Sequence, residues 1–195
     1  VELQKYTQIE TPKMFDSQVR KISEHVYWMK AGAPDRPSLC AVAGEKHTVM
    51  LDAGASDAHA RLFLDGLKAF GVRPPEWVVL THWHWDHVFG AKATGATVIA
   101  QHLTAEKLAG MRRQEWTNAA LDERVKSGEE IAFCADNIKL ELPEPRIVHI
   151  APAEIVFADT LELVLGDFSI RVQHVGGDHA ADACVVYIPK RCTGC

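Results

Sequence analysis

Short apolar runs separated by turn residues recur along most of the chain. Ten such runs, rich in β-branched residues or alternating in polarity, predict strands. They are Val26–Lys30, Leu39–Ala43, Thr48–Leu51, Trp77–Leu80, Val98–Ala100, Ile147–Ile150, Ile155–Phe157, Leu161–Leu165, Phe168–His174 and Cys184–Ile188. Glycine, proline and polar residues interrupt the pattern between them, as expected for turns.

Two stretches have helical spacing instead. The first should begin near Ser56 or Asp57, either of which suits an N-cap, and stop at Gly71. The second covers residues from about 103 to 142, and Pro143-Glu144-Pro145 ends it. The order of elements predicts a single domain over residues 1–195, α+β or layered α/β, in which this helical insert interrupts an antiparallel-rich set of strands.

The composition is that of an ordinary globular protein, with 47% hydrophobic and 24% charged residues among 195. The formal net charge is -5 and no segment is dominated by lysine or arginine, so no nucleic-acid partner is expected. No apolar stretch approaches the roughly 18–20 residues of a membrane span, and Val1–Arg20 is too polar for a signal peptide. Five irregularly spaced cysteines indicate reduced thiols and a cytoplasmic location.

Candidate chemistry is concentrated directly after the predicted strand Trp77–Leu80. Four residues of metal-ligand type, His82, His84, Asp86 and His87, fall within six positions. If this segment is extended, the alternation of side chains puts the first three on one face and two tryptophans on the other. Imidazole and carboxylate suit Zn²⁺, Fe²⁺ and similar cations. A solvated histidine-rich turn is the alternative, but the density of ligands after a buried strand favours a metal site.

The segment His82–His87, with the pattern His-x-His-x-Asp-His, resembles the signature of the metallo-β-lactamase superfamily. Two further segments resemble motifs of the same family. Val49–Gly54 contains an aspartate at a strand end, and Gly176–His179 supplies a later histidine. The three motifs occur in the family's order and lie within a region from about Val26 to Ile188. The resemblance implies a layered αββα fold.

The resemblance also implies a role for six residues. A first metal ion would be held by His82, His84 and His179 and a second by Asp86 and His87, while Asp52 would support the metal loop from behind. A hydroxide on the metal would be the nucleophile, and Asp86 would orient it or accept its proton. Zn²⁺ is the expected cation, with iron or manganese as alternatives.

The chain departs from the family pattern after its last predicted strand, Cys184–Ile188. Relatives continue with a bridging aspartate and a final histidine, whereas only Pro189–Cys195 follow here. Asp167 follows a glycine but comes before His179, in the wrong order. We therefore expect an incomplete C-terminal part, a weak or empty second metal site, and an exposed sheet edge that favours homo-oligomers. The pair Cys192 and Cys195 is interpreted as incidental.

These features favour a hydrolase of an ester, thioester, lactone or amide, similar to the thioesterase and glyoxalase II branch of the family. Its partner would be a small-molecule substrate, without nucleic acid or membrane. One alternative is a metal-binding chain with impaired catalysis, and another is an iron-dependent oxidoreductase of the same fold. The apolar residues of the helical insert are expected to be core, and the resemblance adds a role as a substrate lid, because in this family such an insert can cover the site. Trp83 and Trp85 are expected to pack beneath the metal loop rather than to form a substrate wall.

Overall fold

Ten strands and six helices make up residues 18–188, the part of the chain that the computed structural model describes. The strands are β1 Val19–Lys21, β2 Val26–Met29, β3 Leu39–Ala43, β4 Thr48–Leu51, β5 Trp77–Val79, β6 Thr97–Gln101, β7 Ile155–Phe157, β8 Thr160–Val164, β9 Ser169–His174 and β10 Cys184–Tyr187. The helices are α1 Asp57–Ala69, α2 Trp85–Val88, α3 Ala91–Thr94, α4 His102–Met111, α5 Asn118–Ser127 and α6 Ala132–Glu141.

The strands form two sheets. Strands β1 to β7 lie side by side in chain order, and β10, β9 and β8 form a second, antiparallel sheet. Pairing within the first sheet is antiparallel from β1 to β4 and parallel from β4 to β7. The parallel half follows from its connections, because a helix between two strands returns the chain to the same end of the sheet. The expectation of an antiparallel-rich system thus holds for only part of this sheet.

Alternate residues of the central strands face two different cores. Met50 and Val78 point into the core that contains the helices, whereas Val49 and Val79 pack against the second sheet. All four are fully buried, which accounts for the continuous apolar runs of β4 and β5. The described residues therefore form a layer of helices, a first sheet and a second sheet, in that order.

Local capping accounts for the position of α1. The Ser56 side chain accepts a hydrogen bond from the backbone N–H of His59 at 3.1 Å, so the predicted N-cap is confirmed. At the other end, Gly71 has a φ of +71°, a conformation that ends a helix readily when the residue is glycine. The predicted insert is helical, as expected, and consists of the three helices α4, α5 and α6.

One predicted strand is wrong and one strand was missed. Residues Ile147–Ile150 form no regular element, although Ile150 is buried against the helices. Val148 and Ile150 pack on this core, whereas Ile147 is 76% exposed, and none of the four residues has a strand partner. The missed strand, β1, has only three residues and buries just one of them, Val19, which leaves little pattern to detect.

The described residues also bear on membrane-spanning helices and on the state of the cysteines. None of the helices within residues 18–188 is both long and apolar enough to cross a membrane. Cys40, Cys134 and Cys184 are free thiols. The predicted incidental pair, Cys192 and Cys195, lies outside the described residues.

Candidate metal centre

The candidate site lies where several strands end. Asp52 follows β4, the segment His82–His87 follows β5, and His179 lies in the loop between β9 and β10. Strands β4 and β5 are parallel neighbours, so their carboxyl ends meet at one edge of the sheet. Loops at such an edge are a common location for ligand sites in sheets with parallel strands.

Three of the predicted ligands converge. One ligand atom from each of His82, His84 and His179 lies within 4.8 Å of the other two. The Nε2 atoms of His82 and His179 are 3.3 Å apart. The ring centroid of His84 lies 4.7 Å from that of His82 and 4.6 Å from that of His179. Three imidazoles at this spacing form a suitable set of ligands for one cation with an open position.

The metal loop is not extended throughout, contrary to the expectation. His84 is the N-cap of the short helix α2, and Asp86 and His87 lie in that helix. The turn carries Asp86 away from the strand-like alternation that would have aligned it with His82 and His84. Trp85, by contrast, is only 5% exposed and packs in the core, as predicted.

Asp52 connects the end of β4 to the metal loop. Its Oδ1 accepts a hydrogen bond from the backbone N–H of Thr81 at 2.7 Å, and its Oδ2 accepts one from the Thr81 hydroxyl at 2.9 Å. The same Oδ2 lies 2.9 Å from Nδ1 of His87, which donates to it. Asp52 has a φ of +60°, a left-handed conformation that aspartate tolerates better than most residues. The predicted supporting aspartate thus lies directly behind the loop.

Thr81 determines which nitrogen of His82 faces the other ligands. Because the Thr81 hydroxyl donates its proton to Asp52, its oxygen must accept from Nδ1 of His82, 3.0 Å away. The Nε2 lone pair of His82 is then directed at His179. This threonine was not identified as functional from the sequence, although its position directly before the histidines was a signal.

The imidazoles favour the neutral form that binds metals. Burial, followed by the charge of His87, lowers the pKa of His82 to about 4. Burial and then His179 also lower the pKa of His84. Neutral imidazoles keep a lone pair for a cation without first losing a proton. The residues present therefore fit a bound metal ion.

Asp86 and His87 form an ion pair beside these three histidines. Nε2 of His87 lies 3.2 Å from Oδ2 of Asp86, and the His87 ring centroid is 4.1 Å from that of His82. Burial lowers the pKa of His87, but hydrogen bonds and charges from Asp52 and Asp86 outweigh burial and raise it to about 10. Without a cation, His87 is therefore protonated on both nitrogens, and a second cation would have to displace the proton on Nε2.

The family model of the metallo-beta-lactamase superfamily matches residues 33–192. The chain belongs to this superfamily. No curated protein matches it.

Solved structures of metallo-beta-lactamases have the same fold. A HARLDQ-motif mutant of the enzyme from Cronobacter sakazakii is 21% identical, with a TM-score of 0.58 over 86% of this chain and 57% of that one. FEZ-1 from Legionella gormanii is 12% identical, with a TM-score of 0.57 over 86% and 56%. MEM-A1, a subclass B3 enzyme from a soil metagenome library, is 15% identical, with a TM-score of 0.55 over 86% and 55%.

At these identities the similarity shows the fold alone, and the layered fold predicted from the sequence is confirmed. The chain covers between 55% and 57% of the length of these three structures. The match to the family model, over residues 33–192, includes the three histidines, Asp86 and His87.

The loop that carries His179 is held by residues on both sides of it. Nε2 of His174 donates to the carbonyl of Ala181 at 2.8 Å. Asp182 is 2% exposed, and its Oδ2 accepts from the hydroxyl of Thr104 in α4 at 2.7 Å. Asp182 was not predicted from the sequence, although a carboxylate within the apolar segment before β10 was a detectable signal. This contact fastens the His179 loop to the helical insert.

A cleft of about 760 Å³ lies between the metal loop and the helical insert. His84, Asp86, His87 and His179 line it, together with residues of α4, α5 and α6. A smaller cavity of about 480 Å³ is also lined by His84 and His179. Trp83 lines both spaces and is only partly buried, so it forms a wall of the cleft as well as packing on the core. The predicted packing of Trp83 is therefore confirmed, and the side chain lines the cleft as well.

Proposed function

We propose that this chain is a metal-dependent hydrolase that acts on an ester, thioester, lactone or amide. The observation that carries the proposal is the convergence of three imidazoles at the floor of an open cleft. His82 is 7% exposed, His84 is partly buried and His179 is exposed, so the set of ligands is closed on one side and open on the other. A substrate can approach a cation held there from the open side, where His84 and His179 line the cleft and the smaller cavity.

Zn²⁺ is the cation we expect on His82, His84 and His179, and when bound it would supply a Lewis acid and lower the pKa of water. The protein's own residues orient the site. Thr81 holds the His82 ring through Nδ1, and Asp52 holds Thr81. Such contacts behind a ligand preserve its direction, and their loss commonly weakens metal binding about 10–100-fold.

Asp86 is the residue that we expect to accept the proton of the attacking water. It lines the cleft next to His84, and its carboxylate is ionised. Burial alone would raise the pKa of Asp86, but the hydrogen bond and charge of His87 outweigh burial and lower it. His87 in turn is held by Asp52, so the orientation of Asp86 depends on the same aspartate that orients the metal ligands.

The first test is His84→Ala in the full chain. We expect the wild type to bind about one Zn²⁺ per chain and to hydrolyse simple esters or thioesters. The variant should lose bound metal and activity together, because two imidazoles hold a catalytic cation poorly. His149→Ala, at an exposed histidine away from the cleft, is the matched control.

The outcome also separates the alternatives. Retention of the full metal content by His84→Ala would overturn the metal site. Metal at one ion per chain without turnover of any ester, thioester, lactone or amide would favour the catalytically impaired chain. Iron in protein purified without added zinc, again without hydrolysis, would favour an oxidoreductase. Elemental analysis and a hydrolysis assay on the same preparation therefore decide among the three.

A further inference from the structure

Two large apolar side chains are exposed at the rim of the 760 Å³ cleft. Ile131 is the N-cap of α6 and Phe133 lies in its first turn, and they are 62% and 60% exposed. Met111 and Trp116, further inside, continue the same apolar lining. Exposed apolar groups that adjoin a reactive site commonly mark a ligand-binding surface.

Exposure alone does not distinguish these two residues, because α6 has a third exposed apolar side chain. Leu140, near the other end of the helix, is 69% exposed and does not line the cleft. The apolar surface at the start of α6 is therefore continuous with the metal centre, whereas that at its end is not. This difference provides an internal control on the same helix.

The charges that line the cleft argue against an anionic ligand. Apart from His87, which is paired with Asp86, its cationic side chains lie over aromatic rings: Lys107 Nζ is 5.0 Å from the Trp83 ring centroid, and Arg124 Cζ is 4.9 Å from that of Trp116. Outside the Asp86–His87 pair, carboxylates are more numerous among the lining residues, at Asp35, Glu106, Glu129 and Glu130. Away from the cation that we expect on the three histidines, this excess of carboxylates disfavours an anionic group.

We propose that the cleft binds an uncharged apolar acyl group of the substrate, and that Ile131 and Phe133 cover it. This inference rests on the proposed hydrolase function and names its substrate class. The volume of about 760 Å³ lies within the range of small-molecule sites and suits an acyl chain of medium length. The metal centre at the floor of the cleft would then be next to the carbonyl that the acyl group carries.

The kinetic test compares three p-nitrophenyl esters with the Zn²⁺-loaded full chain: the octanoate, the acetate and the anionic hemisuccinate. We expect kcat/KM to be highest for the octanoate and lowest for the hemisuccinate. Phe133→Ser should reduce the octanoate-to-acetate ratio of kcat/KM about tenfold, as is typical when apolar contacts with a substrate are removed. Leu140→Ser should leave the ratio unchanged. A preference for the hemisuccinate, or an unchanged ratio in Phe133→Ser, would overturn the inference.

A binding test makes the inference independent of turnover. Titration with 1-octanol, followed by tryptophan fluorescence from Trp83 and Trp116, should saturate, whereas ethanol should give no saturable change. Phe133→Ser should weaken 1-octanol binding several-fold and Leu140→Ser should not. If 1-octanol binds in this way but no ester is hydrolysed, the hydrolase proposal fails and the cleft assignment stands. If esters are hydrolysed without chain-length preference and 1-octanol does not bind, the cleft assignment fails and the hydrolase proposal stands.

Discussion

His59 is a buried histidine outside the candidate site, and it makes stability depend on pH. It is 1% exposed, and its Nδ1 accepts a hydrogen bond from the backbone N–H of Ala55 at 3.2 Å. Protonation of Nδ1 would remove this acceptor. Burial, followed by the charge of Arg36, lowers the pKa of His59 from 6.5 to about 4.

The unfolded chain therefore takes up a proton at His59 below about pH 6.5, and the folded chain does so only near pH 4. Its contribution to the free energy of unfolding is present above pH 6.5 and is lost as the pH falls toward 4. Between pH 6.5 and 4.5 we expect the wild type to lose on the order of 2 kcal/mol more free energy of unfolding than His59→Asn. Urea denaturation of chelator-treated protein at pH 6.5 and 4.5 measures it, and His149→Asn is the control. An equal loss in wild type and His59→Asn would contradict the prediction.

The residues of the candidate site were accessible from the sequence, but the contacts between them were not. His82, His84 and His179 were identified by type and motif. Thr81 was missed because its role depends on two simultaneous hydrogen bonds, to Asp52 and to His82. A local pattern reports the kind of side chain at a position and not its partner, so a residue that acts only by orienting another is hard to detect.

Three elements are connected by one buried carboxylate. Both oxygens of Glu141, at the end of α6, accept hydrogen bonds from Arg36 Nε, at 3.1 and 2.9 Å. The Ser56 hydroxyl at the start of α1 also donates to Glu141. Arg36 belongs to a turn in which Gly32 and Arg36 pair, and the next residue back, Asp35, lines the cleft. The helical insert, α1 and this turn are therefore held as a unit around the site.

We expect Glu141→Gln to lower the free energy of unfolding by about 3 kcal/mol, because it leaves the Arg36 charge without its partner. The side chain of Glu141 is 2% exposed and that of Arg36 is 28% exposed, which places the pair among buried rather than surface ion pairs. Glu123→Gln is the matched control: its pair with Lys126 has side chains 74% and 73% exposed and should contribute less than about 1 kcal/mol. Similar losses in the two variants, measured by chemical denaturation, would contradict this account.

Elements with strong local signals were the ones predicted correctly. Helix α1 has both an N-cap and a glycine stop, and β3 and β4 match their predicted bounds. Ile147–Ile150 was mispredicted because a short apolar run indicates neither that each of its residues is buried nor which element packs against it, and Ile147 is in fact 76% exposed. Helix α2 was missed because its four residues make only one turn, and helical periodicity can be recognised only when it repeats over several turns.

At the scale of the whole molecule, the second sheet has an open edge within the described residues. Strand β10 pairs with β9 on one side only, and its Val185 and Tyr187 are 51% and 62% exposed. We propose that copies of this chain associate through this edge, because unpaired strand edges with apolar side chains readily pair with another chain.

Sedimentation velocity over a range of concentrations tests this proposal. We expect the wild type to form dimers or larger species, and Val185→Lys to shift the population toward monomer, since edge lysines oppose strand pairing. Leu140→Lys, which places the same charge at an exposed apolar position on α6, is the control. A wild type that stays monomeric at every concentration would rule out association through β10.

The three converging histidines also have a consequence for the order in which the chain assembles. His82 and His179 are separated by 97 residues and belong to loops of different sheets. A cation shared between them would act as a reversible cross-link that closes this long stretch of chain. Long closures of this kind are entropically costly to form and stabilise a fold once they are made. Metal availability during synthesis would thus influence how soon the second sheet docks on the first.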